Sequence, residues 1–252
     1  MKTWIEYINR TFTGVVSIIA IGMLVTSFSW WGSDKVFAAL GITVILLIGF
    51  EAWLGAVVVK TNLNNYKVTI HLAAAMFILA ISLIAVVRTL KYGAISIPVS
   101  PAISVLMGLV LLALLVQVII GTLVRTEMDY ISQNMDGTHR ELWMDYAKAW
   151  FPFHSKFSYV VSGLVAILAA IVFRKRDIDK NLKNAIWLLV LATLGQMLAG
   201  IAMAKFDFPA TAQLIHLVLA MTMFGALVFA LAWNLTKLKT NETASPQIGL
   251  AH

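Results

Sequence analysis

Seven stretches of this sequence stay apolar long enough to cross a hydrocarbon layer: residues near 11–31, 36–59, 69–87, 103–124, 153–173, 183–204 and 212–235. A spanning helix needs about 20 mostly apolar residues. Inside lipid every peptide group must find its hydrogen-bond partner within the protein, so runs of this length are helices. The expected fold is an all-α polytopic membrane bundle with seven transmembrane helices. Composition agrees, since 60% of the residues are hydrophobic and only 12% charged, about half the charged share of an ordinary soluble domain. A formal charge of +7 could suggest nucleic acid. The lysines and arginines, however, sit in short caps between apolar runs, where they suit membrane topology. Nucleic acid is therefore excluded as a partner, and membrane lipid is implied. With no cysteine in the chain, disulfides, thiolate metal sites and cysteine nucleophiles drop out, and redox chemistry would need a bound cofactor. The opening "MKTWIEYINR" lacks the layout of a cleaved signal peptide, so the first run is expected to remain in the mature protein.

The connections are short except for 125–152, "RTEMDYISQNMDGTHRELWMDYAKAWFP". Its second half places Leu142, Tyr146 and Trp150 at near-helical spacing, as in an amphipathic helix lying along the interface. Seven spans put the termini on opposite sides. The side bearing residues 1–10 carries nine Lys/Arg and seven acids. The other side holds Lys35, Arg88, Lys91, the cluster "RKRDIDKNLK" at 174–183, Lys237 and Lys239, against four acids. The positive-inside rule makes that second side cytoplasmic, with the N-terminus facing outward. The expected location is a bacterial inner membrane.

Sliding the chain against itself by 145 residues exposes a repeat. Glu51 falls on Gln196, Gly55 on Gly200, Lys60 on Lys205, "IHL" at 70–72 on "IHL" at 215–217, and Ala75-Met76 on Ala220-Met221. The same register lays "NRTFTGVV" (9–16) on "HSKFSYVV" (154–161), so Asn9 meets His154. The chain reads as a tandem duplication of a four-helix unit. The partner of 103–124 would lie upstream of residue 1, so the first unit is expected to lack its first helix. The corresponding division is 1–100, 101–240 and a cytoplasmic tail, 241–252.

His71, His154 and His216 each lie in the first turns of a span that begins on the outward side, so their depths match. A single histidine there is usually a hydrogen-bonded structural residue, although intramembrane ionisable groups default to functional candidates. Three at one depth in a duplicated scaffold favour function, because imidazoles from two facing helices are a standard way to hold a haem iron. His154 and His216 form such a pair. His71 has only Asn9 opposite, and an amide is a poor iron ligand, which leaves an open coordination position in the first half. Zinc or copper would want more clustered ligands than are available. Glu51 is a costly carboxyl within a span. Its repeat mate is Gln196, and "QVIIG" (117–121) echoes "EAWLG" and "QMLAG", so these positions are read as polar glue between closely packed helices. Glu6 lies one helical turn before Asn9, on the same face, within reach of whatever the first-half site holds.

"WIEYINR", "GAVVVKTNLNNYKVTIHL", "FHSKFS" and "GIAMAKFDFPATAQLIHL", in that order, resemble the haem A synthase family of cytochrome oxidase maturation, over essentially the whole chain. The resemblance implies two four-helix halves. The C-terminal half would hold haem b between His154 and His216. The N-terminal half would bind haem O and oxidise a ring methyl to a formyl group, giving haem A. Glu6 matches the family's catalytic glutamate, Arg10 keeps the arginine of the same motif, and His71 matches the remaining N-terminal histidine. Asn9 stands where the family pattern has histidine, and the family's first helix is absent. Implied partners are a haem O synthase, oxidase assembly factors, an unnamed electron acceptor and a second copy of the chain. The alternative function is a non-catalytic b-type haem protein, acting as an electron carrier or in haem delivery. A transporter on the same duplicated bundle would want a broken helix with a midplane charge pair, which the sequence does not offer.

Overall fold

Each apolar run is helical in the computed structural model of the chain. It describes residues 2–32, 35–61, 65–90 and 100–243, without the side chains of residues 2–6, 9, 65 and 236–243. The helices are α1 (Lys2–Ser29), α2 (Lys35–Lys60), α3 (Asn65–Leu90), α4 (Pro101–Asn134), α5 (Trp143–Tyr146), α6 (Phe151–Arg174), α7 (Lys180–Lys205) and α8 (Ala210–Thr243). All but α5 are long and apolar enough to cross a membrane. No strand occurs among the described residues. The chain is an integral membrane protein of helical-bundle type.

Two compact units divide it, Met1–Tyr92 and Gly93–His252. In the first, α2 packs against both α1 and α3, around a small core of Ala20, Val44 and Ile81. In the second, α4, α6, α7 and α8 close a ring in which each helix touches the next and α8 returns to α4. Its centre is filled by Met107, Leu168, Leu182, Ile186, Leu189 and Leu227, all fully buried. At the repeat offset, α1, α2 and α3 correspond to α6, α7 and α8. The packed pairs α1–α2 and α2–α3 recur as α6–α7 and α7–α8, so the duplication is one of structure as well as of letters.

The stretch after the fourth span differs from the expectation. Instead of ending near 124, α4 continues to Asn134, and its 34 residues rise about 51 Å against a hydrocarbon core of about 30 Å. The expected amphipathic helix ending at Trp150 is a single 3₁₀ turn, Arg140–Leu142, followed by the four residues of α5. Leu142, Tyr146 and Trp150 are exposed, while Trp143 and Ala147 are buried against Met128, Ile131 and Phe208. Lys148 N turns back to the Tyr146 carbonyl, and beyond it the Glu127 carboxylate, on the α4 extension, takes the next two amides. Ala149 N donates to its Oε1 at 2.8 Å and Trp150 N to its Oε2 at 2.9 Å. Those amides belong to the residues just before α6, whose own carbonyl partners are missing at a helix start. Glu127 thereby fixes where α6 begins.

Lipid tails are as apolar as leucine, so helices in this setting are held by close packing and interhelical hydrogen bonds. One such bond joins α8 to α4: Asn234, fully buried, donates from Nδ2 to Ser104 Oγ. A double-mutant cycle with Asn234→Ala and Ser104→Ala, read by unfolding in detergent, is expected to give a coupling of about 0.6 kcal/mol and at most about 1.7. A coupling indistinguishable from zero would mean that this pair does not hold α8 to α4.

Candidate functional site

His154 is the fourth residue of α6 and His216 the seventh of α8, so both sit at the end of the second unit where these helices begin. The connection carrying Trp143 and the turn carrying Phe208 pack together at that end, with ring centroids 6.4 Å apart. The rings of His154 and His216 approach to 6.3 Å between centroids, inclined at 58°. Both are half-buried, and the Nδ1 atom of each is buried with no hydrogen-bond partner among the described residues. Burying such a group without a partner costs about 1–3 kcal/mol.

What brings each ring into place is a glycine one helical turn after a glutamine on the neighbouring helix. On α4, a Cβ at Gly121 would stand 3.1 Å from His154 Cε1 and 3.6 Å from its Nδ1. On α7, a Cβ at Gly200 would stand 3.7 Å from His216 Cε1 and 4.0 Å from its Nδ1. In both cases the Nδ1–Cε1 edge lies against the glycine, leaving Nε2 as the nitrogen farther from that helix. Gln117 secures the start of α6 as well. Its Nε2 donates to the His154 carbonyl at 3.0 Å and lies 3.5 Å from the ring Nε2. The main chain of α6 is thus pinned above His154 by Glu127 and at His154 by Gln117.

The first unit repeats the arrangement with one change. On α3, His71 lies over Gly55 of α2, where a Cβ would stand 3.4 Å from Cε1 and 3.8 Å from Nε2. The residue one turn before that glycine is Glu51, whose Oε1 lies 2.9 Å from His71 Nδ1. This is an ion-pair contact rather than an in-line hydrogen bond, and Glu51 Oε2 is buried without a partner among the described residues. The side chains of Glu6 and Asn9 lie outside the described residues, although both positions belong to α1. Arg10, on the same helix, is exposed.

Sequence reasoning singled out the histidines and passed over what holds them. The recurrence of Gln117/Gly121, Glu51/Gly55 and Gln196/Gly200 was legible, but as glue between helices. Placed in three dimensions, each glycine is the bed of one histidine. Glu127 carried no sequence signal at all, because its partners are main-chain amides more than twenty residues away.

Two imidazoles that share one metal ion from opposite sides, each with a bond of about 2.0 Å, place their ring centres roughly 6 Å apart. The His154–His216 separation fits that requirement, and the Nε2 atoms, turned away from the glycine-bearing helices, are the nitrogens placed to act as donors. Among the described residues no three of His, Cys, Asp and Glu gather at one point. The donor set therefore suits an ion whose remaining ligands arrive with it, as the iron of a porphyrin does.

The glycine contacts carry a direct test. Gly121→Ala forces the His154 ring to move and is expected to destabilise the protein by about 1–3 kcal/mol, the usual cost of overpacking. Gly200→Ala, where the new methyl meets only ordinary contact, is expected to cost less than Gly121→Ala, as read by thermal unfolding in detergent. Equal costs would show that His154 is not held as tightly as its contact implies.

A comparison with curated proteins returned no match. The sequence model of the COX15-CtaA family, described as cytochrome oxidase assembly protein, matches residues 1–228. That span takes in α1 through α7, all three histidines and most of α8. The chain belongs to the COX15-CtaA family of cytochrome oxidase assembly proteins.

Proposed function

We propose that this chain is a haem A synthase-like oxidoreductase, oxidising a methyl group of haem O to the formyl group of haem A. The observation that carries the reading is the His154–His216 pair, two imidazoles on facing helices at a separation suited to a single iron. The family's role in oxidase assembly supports it from a second direction. His154 and His216 would hold a haem b, which would supply a one-electron redox centre in the second unit. The substrate, haem O, belongs to the first unit, where His71 is the ligand. Glu6, assigned from the family pattern, would assist proton movement in that reaction, and Asn9 and Arg10 belong to the same helix, α1.

The residues of this chain have limited but definite tasks in that scheme. Gln117, Gly121 and Gly200 orient the two ligand rings, and Glu127 sets the first turn of α6. Neutral histidine is the form that ligates. Conversion of methyl to formyl with water as oxygen source releases electrons and protons together, so a membrane-borne acceptor completes the reaction. The histidine-bearing ends face outward and the C-terminus faces the cytoplasm, in a bacterial inner membrane. A haem O synthase is the natural donor of substrate.

The purified protein is expected to show a b-type pyridine haemochrome spectrum, and extraction is expected to yield haem B together with haem O or A. Haem B alone would instead identify a b-type carrier without synthase activity, and no haem would end both readings. His154→Ala and His216→Ala are each expected to abolish the b-type signal. Its persistence in either variant would refute the ligand assignment.

A further inference from the structure

We propose that the turn between α6 and α7 is a binding site for the headgroup of an anionic phospholipid, built from Arg174, Lys175, Arg176, Lys180 and Lys183. The turn lies at the end of the second unit opposite the histidines, so the proposal stands apart from the haem reading.

The connection is short and its shape is fixed. α6 ends at Arg174 and α7 begins at Lys180, with Ile178 and Leu182 both buried. Asp179 caps α7 by accepting from Asn181 N at 2.8 Å. Lys183 Nζ donates back across the turn to the Arg176 carbonyl at 3.2 Å, which brings an α7 cation to the basic run that ends α6. Arg174, Lys175, Arg176 and Lys180 are exposed. Residues 174–183 hold five cations and two carboxylates, and one of those two serves the cap. Among the described residues none of the five cations forms an ion pair with a carboxylate. Like charges gathered this closely repel one another, and an anion from outside the chain relieves them.

Depth decides which anion. Phe173 and Trp187 stack with ring centroids 4.7 Å apart, and Trp187 is 52% exposed. A tryptophan at the end of a span takes the boundary between hydrocarbon and headgroups. Lys183 lies one turn nearer the start of α7 on the same face, a rise of about 6 Å. The headgroup layer is about 5–7 Å deep on each side of a bilayer, so the Lys183 ammonium shares the level of a lipid phosphate. A lipid uses both parts of the site, its phosphate on the cations and its acyl chains along Trp187. Net charge then selects among lipids, because a zwitterionic headgroup brings a cation of its own to a basic site.

The duplication supplies a contrast within the same chain. At the 145-residue offset the turn falls on residues 29–38, "SWWGSDKVFA", which carry one lysine, Lys35, and one aspartate, Asp34. The first unit has aromatic side chains at this connection without the cluster of cations.

The full chain in detergent, titrated with phosphatidylglycerol or phosphatidylcholine and read by native mass spectrometry, is expected to bind phosphatidylglycerol at least about tenfold more tightly. No preference in the wild-type protein would overturn the proposal, and that comparison needs no variant to fold. Each basic residue near a membrane surface strengthens binding to anionic lipid about fivefold, so Arg174→Gln/Lys175→Gln/Arg176→Gln is expected to lose on the order of 100-fold in affinity for phosphatidylglycerol. The charge-preserving Arg174→Lys/Lys175→Arg/Arg176→Lys is expected to retain it, and Lys35→Gln, in the equivalent turn, to leave it unchanged. Undiminished binding in the triple glutamine variant, or an equal loss in Lys35→Gln, would sink the idea. Bound phosphatidylglycerol is expected to resist millimolar inorganic phosphate and polyglutamate. Displacement by the first would reassign the site to a soluble phosphate and displacement by the second to an acidic protein, and either result overturns the lipid assignment.

Discussion

No water reaches a hydrocarbon layer, and that absence governs the protein at every scale. It forces the backbone into helices, whose hydrogen bonds close within one segment. It also makes a polar side chain inside a span costly unless something answers it. The histidines show how this is done. A ring can lie against another helix only where that helix has no side chain in the way, and Gly55, Gly121 and Gly200 provide the three places. Small residues at helix interfaces usually serve backbone approach. Here the space they leave is used by an imidazole.

Outside the hydrocarbon the same end of the second unit is held by charge and main-chain hydrogen bonds. α4 runs past the membrane far enough to bring Glu127 level with the start of α6. An anion suits a helix N-terminus, where unpaired amides and the helix dipole both favour negative charge. Proline at position 152 fits for a related reason, since the first turn has no use for its missing N–H. The chain thus enters α6 at a fixed point, and His154 is one turn further on. Extension of α4, capping of α6 and placement of a candidate ligand are a single structural device.

Much of this was legible in the sequence because hydropathy and repetition are one-dimensional signals. Seven apolar runs correspond to seven spanning helices, and the 145-residue register matches α1–α3 to α6–α8. The histidines were legible too, since an ionisable residue stands out against an apolar background. Contacts across the bundle were not. The sequence separates Gln117 from His154 by a polar loop, and Glu51 from His71 by "KTNLNNYK", so neither pairing is visible as spacing. The 125–152 region misled for a specific reason. Leu142, Tyr146 and Trp150 have helical spacing, but Glu127 draws the amides of Ala149 and Trp150 away from a continuing helix. A tertiary contact there overrides a local period.

Duplication explains how one scaffold can hold unlike sites. A copied helix pair brings its glycine bed and its histidine along together, so the geometry is inherited whole. What then remains free to vary is the residue one turn before the glycine, which in two of the three beds, as Gln117 and Glu51, reaches the ring without shaping the bed. Glutamine and glutamate are nearly isosteric, and exchanging them alters packing very little. Exchanging them does alter chemistry, because a carboxyl group can give up a proton and an amide cannot. Glu51 and Gln196 are the same position in the fold and different in electrostatics. The smallest change available to the module is the one with most effect on the chemistry of its histidine.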